Sequence, residues 1–204
     1  MHTKTLINWV FLGGIVGFLA ACGGSGGSTS TPVPAPEPST PVMMSYTVSV
    51  TNLTHNQPLS PPAIVMHSEQ LKVWEIGMSA SVGLETLAES GDPSSLLAEL
   101  PEAEVYSSEP GSGIIAPGMS EELNLTFEEQ STVQFTALTM MVNTNDAFVG
   151  VQQVDVTSLA VGESLTINAP TYDAGTESNS ETIDSIPGPA AGGEGFNATR
   201  DDVD

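Results

Sequence analysis

Carboxylates stand at two places where a strand-like run gives way to a turn: Asn145-Asp146 in TMMVNTNDAFVGV, and Asp173 with Glu177 in TYDAGTE. Gly175 lies between the second pair, so the chain can fold back and turn both side chains toward one point. Calcium is a hard cation that takes about six to eight oxygens at about 2.3–2.6 Å, drawn from carboxylates, amide and backbone carbonyls, and water. Asp146, Asp173 and Glu177, with Asn145 or loop carbonyls in support, are of that chemical kind. Asp and Asn at strand ends also act as Asx-turn residues that satisfy their own backbone, and the residues alone leave both readings open. An ion held here would be structural, because nothing nearby has the make-up of an activated nucleophile or a proton shuttle.

Other chemistry finds little support. His55 and His67 fall in a turn and at a strand end, with no HExxH pattern and no cysteine partner. No GxSxG elbow is present, and Gly111-Ser112-Gly113 reads as a loop. Glu102/Glu104 and Glu121/Glu122 read as solvated pairs in a chain poor in Lys and Arg. An enzyme is therefore not expected. Trp74 reads as core, packed beside Phe135 or Phe148, and Met140-Met141 as core filler.

The elements that must position the acids are mostly strands. SYTVSVTN (Ser45–Asn52) alternates polar and β-branched residues, and EELNLTF (Glu121–Phe127) alternates likewise. Further strands are expected at Ala63–His67, Val133–Val142, Ala147–Val156 and Glu163–Asn168. Between 69 and 100 the apolar residues recur at helical intervals around Gly91-Asp92-Pro93, which predicts two or three short helices after a strand at Lys72–Gly77. Pro93 suits a first helical turn after an Asp92 cap. Many short strands with turn signals between them predict an all-β antiparallel sandwich with helical insertions around 78–100.

TALTMMVNTNDAFVGV and APTYDAGTESNSE resemble the two signature stretches of the spondin domain, the amino-terminal module of the F-spondin and mindin proteins, also found in bacterial secreted proteins. TVSVTNLTHNQPLSPPAIVMHS is similar to that family's opening strand and Pro-rich turn, so the resemblance spans about residues 45–190. It implies a Greek-key, C2-like β-sandwich and one structural calcium ion on Asp146, Asp173 and Glu177, with Asn145 supporting. Glu177 stands where the animal proteins have Asp, which keeps the charge and lengthens the arm.

At the amino terminus, Lys4 precedes the apolar stretch LINWVFLGGIVGFLAA, which stops at Cys22 and is shorter than the roughly 20 residues a spanning helix needs. Leu19-Ala20-Ala21-Cys22 resembles a bacterial lipobox, which implies a signal peptide over 1–21 and acylation of Cys22, the chain's one cysteine. Three acyl chains exceed the two signals that stable anchoring takes. Residues 22–44 then read as a lipidated Cys and a Gly/Ser/Pro tether, 45–190 as the folded domain, and 191–204 as an acidic, Gly-rich, loosely packed tail. Export to the bacterial cell envelope follows, with the outer membrane as destination because Gly23 rather than Asp follows the Cys. Asn52-Leu-Thr, Asn124-Leu-Thr and Asn197-Ala-Thr fit the N-glycosylation pattern, which carries no meaning in a bacterial source.

Against 25 acidic residues stand only Lys4, Lys72 and Arg200, for a net charge of −22. Such a chain repels phosphate backbones and polyanions, so nucleic acid is excluded as a partner, as is a heparin-like chain. The expected function is a calcium-stabilised adhesion or recognition module on an envelope lipoprotein, meeting the bilayer through Cys22 and an envelope or extracellular protein or glycan through its loops. The alternatives are a structural envelope or biofilm-matrix lipoprotein without a discrete ligand, and a small-molecule-binding or hydrolytic periplasmic protein.

Overall fold

The computed structural model describes residues 40–179 and 182–199. The expected leader over 1–21, Cys22 and the expected tether up to residue 39 lie outside the described residues, as do residues 180–181 and 200–204. Seven strands and two α-helices follow in chain order: β1 Met43–Thr51, β2 Ala63–His67, α1 Val82–Ser90, α2 Ser94–Glu99, β3 Val105–Pro110, β4 Ser120–Glu128, β5 Gln134–Met140, β6 Ala147–Asp155 and β7 Thr171–Asp173. A short 3₁₀ turn, Ile183–Ser185, comes last.

Two antiparallel sheets form an all-β sandwich. β1 and β4 pair along their full lengths, from Met43 opposite Glu128 to Thr51 opposite Ser120. Both strands alternate, so Met44, Tyr46 and Val48 face inward with Leu123, Leu125 and Phe127 while polar residues face water. The second sheet runs β3-β2-β5-β6-β7. Ile64, Met66 and Phe135 on one face of it meet the inward side chains of β1 and β4, and Tyr46 stacks on Phe127 at 5.8 Å. Its other face carries Val65, Leu138, Met140 and Phe148 against Leu84, Leu87 and Leu96 of the helices. Apolar residues on both sides explain why β2 is an unbroken apolar run, buried at every position. Burying each such side chain contributes about 1.5–3 kcal/mol.

α1 starts where the Ser81 hydroxyl accepts the Leu84 N–H at 3.1 Å. Gly83 lets α2 approach: a Cβ there would stand 2.5 Å from the Leu96 Cα. Asp92 accepts the Ser94 N–H at 2.9 Å, and Pro93 takes the cap position rather than the first turn.

The structure departs from the local expectations at several places. Lys72–Gly77 is no strand, because the Gln152 side chain occupies the partner's place: its Oε1 accepts from Val73 and Trp74 N–H and its Nε2 donates to the Trp74 carbonyl. Glu163–Asn168 alternates like a strand but has no edge to pair with, since β7 takes the open edge of β6. β3, half exposed and polar in VYSSEP, carries no periodic signal and was not expected. The tail packs closely as far as it is described, with Gly193 N–H on the Ile186 carbonyl at 2.8 Å and Glu194 N–H on Asp184 at 2.7 Å. Asn52 is also no surface acceptor site: it is fully buried and its Nδ2 donates to the Gln57 and Ile115 carbonyls. Trp74 does pack beside Phe148, edge-on at 5.4 Å, and also against Tyr172 at 5.5 Å, whereas Phe135 belongs to the inter-sheet core.

Candidate metal centre

The turn between β5 and β6 ends at Asp146, which is 1% exposed. Its Oδ2 accepts the Thr176 N–H at 2.9 Å, the Glu177 N–H at 3.2 Å and the Thr176 hydroxyl at 3.4 Å, while its backbone carbonyl accepts Ala174 N–H at 3.1 Å. A single carboxylate thus holds down the segment that follows β7. Gly175 permits the reversal by taking φ +66°, a left-handed conformation that costs glycine little. Asp173 sits opposite Ala147 in the β6–β7 ladder, one position from Asp146. Its Oδ1 accepts Gly175 N–H at 2.8 Å and its Oδ2 the Asn179 amide at 3.1 Å, an Asx-type arrangement, and the residue is exposed. Asn145 is nearly buried and donates to the Ser178 carbonyl at 3.1 Å.

Asp146, Asp173, Glu177 and Asn145 therefore share one corner of the molecule, joined by backbone hydrogen bonds. They do not form a closed cage: among the described residues, no three His, Cys, Asp or Glu side chains are gathered as a ready metal site. The turn chemistry of these acids is visible, and it occupies several of the oxygens that a cation would need.

The helix layer brings two further acids that sequence reasoning missed. Glu85 and Glu89 of α1 are 3% and 1% exposed. Glu89 Oε2 accepts the Asn197 N–H at 2.8 Å, whereas its buried Oε1 has no hydrogen-bond partner among the described residues. The Thr176 hydroxyl lies alongside and favours the ionised form of Glu89, while the charges of Glu85 and Asp146 oppose it. Burial is the larger effect and pushes the Glu89 carboxyl above its ordinary value. For Asp146, burial likewise pushes the carboxyl up, more than the amides of Thr176 and Glu177 pull it down, and the Asp173 charge adds to the rise. Within the described residues Lys72 is the sole lysine or arginine, and it meets Glu75 on the surface at 3.9 Å. Among the described residues no lysine or arginine answers Asp146 and Glu89.

A signal for Glu85 and Glu89 exists in the sequence. They fall four apart among the apolar positions of LETLAES, on the face that Leu84, Leu87 and Ala88 turn toward the sheet. Buried carboxylates, with one Glu89 oxygen outside any hydrogen bond among the described residues, are donors of the kind a hard cation takes.

Beyond the acids, no helix among the described residues is long and apolar enough to cross a membrane. No curated protein matches the chain. The family profile described as Spondin_N matches residues 54–189, two-thirds of the 204 residues, and takes in the whole wide sheet, β4 of the narrow one, both helices and the acidic corner. With that match over a two-sheet sandwich, the chain belongs to the spondin N-terminal domain family.

Proposed function

We propose that this spondin domain is a calcium-stabilised, non-enzymatic adhesion or recognition module, carried at the cell envelope by an acylated Cys22. Asp146, Asp173 and Glu177 hold one structural ion, Asn145 supports them, and Glu89 is added as a ligand from the helix layer. The observation that carries this reading is the burial of Asp146 beside Glu89 with no lysine or arginine near either among the described residues. Two ionised carboxylates removed from water are costly unless paired, and a divalent ion supplies the missing charge. The ion would tie α1, the β5–β6 turn and the segment after β7 to one another, which fixes the loops at that end for contact with an envelope protein or glycan. Lipoprotein anchoring rests on Leu19-Ala20-Ala21-Cys22.

Thermal unfolding of the full chain tests this. A bound ion stabilises by RT ln(1 + [L]/Kd), so the midpoint should climb with each step in calcium concentration above Kd and fall back in chelator. A midpoint indifferent to calcium, at an ionic strength held constant with sodium chloride, would remove the metal from the account.

A further inference from the structure

The two sheets differ in width, and the narrow one leaves part of the wide one bare. β1 pairs only with β4 among the described residues, so past its free edge the inner faces of β5 and β6 have no strand above them. A cavity of about 570 Å³ lies there. Val48 of β1, Ala137 of β5 and Val149 and Val151 of β6 wall it, and a strap of residues 165–169 borders it with Leu165 and Ile167. Those two strap residues stay 41% and 39% exposed, so the segment lies loosely over the opening.

None of the residues around this cavity is ionisable, in a chain that carries 25 acidic residues. Its polar groups are hydroxyls and the Asn168 amide. Sites for small molecules run to about 300–1,000 Å³ and combine apolar walls with a few polar groups. The border follows β1 from Val48 to Thr51 and the strap from Leu165 to Ala169, a reach of roughly 10–15 Å at the rise of extended chain. That is long enough for an alkyl chain and longer than any one side chain. The net charge of −22 disfavours an anionic head group at the opening.

We propose that this cleft binds a neutral lipid of the acyl-chain class, laid between the sheets beneath residues 165–169. The hydrocarbon displaces water from Val149 and Val151, and the strap covers it with Leu165 and Ile167. The cleft opens on the face of the wide sheet opposite the helices and the acidic corner, so binding is independent of calcium.

The test uses the full chain and the fluorescent apolar probe N-phenyl-1-naphthylamine, with dodecanol and dodecanoate as competitors. The apolar leader is common to every protein compared, so differences between variants report the cleft. Wild type should bind the probe and release it to dodecanol, with dodecanoate at least about tenfold weaker. Val151→Phe fills the cavity and Leu165→Glu places a charge at its mouth; each should weaken probe binding at least about tenfold. Leu165 is exposed, so its variant keeps the test alive if Val151→Phe does not fold. Equal probe binding by wild type and Leu165→Glu, no probe binding at all, or competition by dodecanoate equal to that by dodecanol would overturn the proposal.

Discussion

Burying Asp146 and Glu89 near one another takes two carboxylates out of water with little beyond backbone amides to answer them. Glu89→Gln separates charge from shape. In chelator it removes a charge that the fold disfavours, so the midpoint should rise by roughly 2–4 °C, the shift expected per kcal/mol for a domain of this size. In calcium it removes a ligand, so the response to the ion should shrink by at least about half and the order of stabilities should invert. Thermal melts of both proteins in both media check this crossover. His67 is a separate matter. It is fully buried, with Nδ1 against the Ser68 carbonyl at 2.7 Å and Nε2 against the Thr136 hydroxyl at 2.8 Å. Burial pulls its pKa below the ordinary 6.5, against opposing pulls from the Ser68 carbonyl and the Glu104 charge. The unfolded chain takes up a proton below pH 6.5 that the folded chain resists, so His67's contribution is complete above that pH and is lost as pH falls toward the folded value. Asp146 and Glu89 act in the opposite sense, so the ring is best followed directly: an NMR titration should give a midpoint below 6.5, and a midpoint at or above it would contradict the burial.

Helices α1 and α2 connect the candidate centre to the core. Gly83 allows their close crossing, and Gly83→Ala should cost about 1–3 kcal/mol by forcing them apart. Because Glu89 rides on α1, the same substitution should also blunt the calcium response, and denaturant melts with and without the ion will show both effects. The elements differ in how well they could be read in advance. β1 and β4 each have one face toward apolar neighbours and one toward water, and their alternating patterns say so; β5 is buried on both faces and is marked by its run of apolar and β-branched residues. The loop at 72–77 could not be read as such, because its backbone is satisfied by Gln152, distant in sequence. Residues 163–168 carry a strand pattern without an edge to join, and β3 joins an edge without a pattern. At the acidic corner, Asp146, Asp173 and Glu177 stand out by type and spacing, while Glu89 is hidden by its place in an apolar helix face and by contacts to Thr176 and Asn197, distant in sequence. Local chemistry was legible; pairing across long stretches of chain was not.

Taken whole, the molecule is a polyanion with one described ion pair, and its self-repulsion weakens as salt shortens the reach of each charge to about 10 Å at 0.1 M. Calcium would therefore stabilise any such protein somewhat by screening, and the central claim needs a readout that screening cannot mimic. Calorimetric titration of calcium into the full chain, in sodium chloride held at 0.1 M to order of magnitude, supplies it. One saturable site per chain is expected in the wild type and none in Asp146→Asn, which keeps the hydrogen-bond acceptor at that position and removes its charge. Diffuse heats without a stoichiometric endpoint in the wild type, or an unchanged single site in Asp146→Asn, would contradict it.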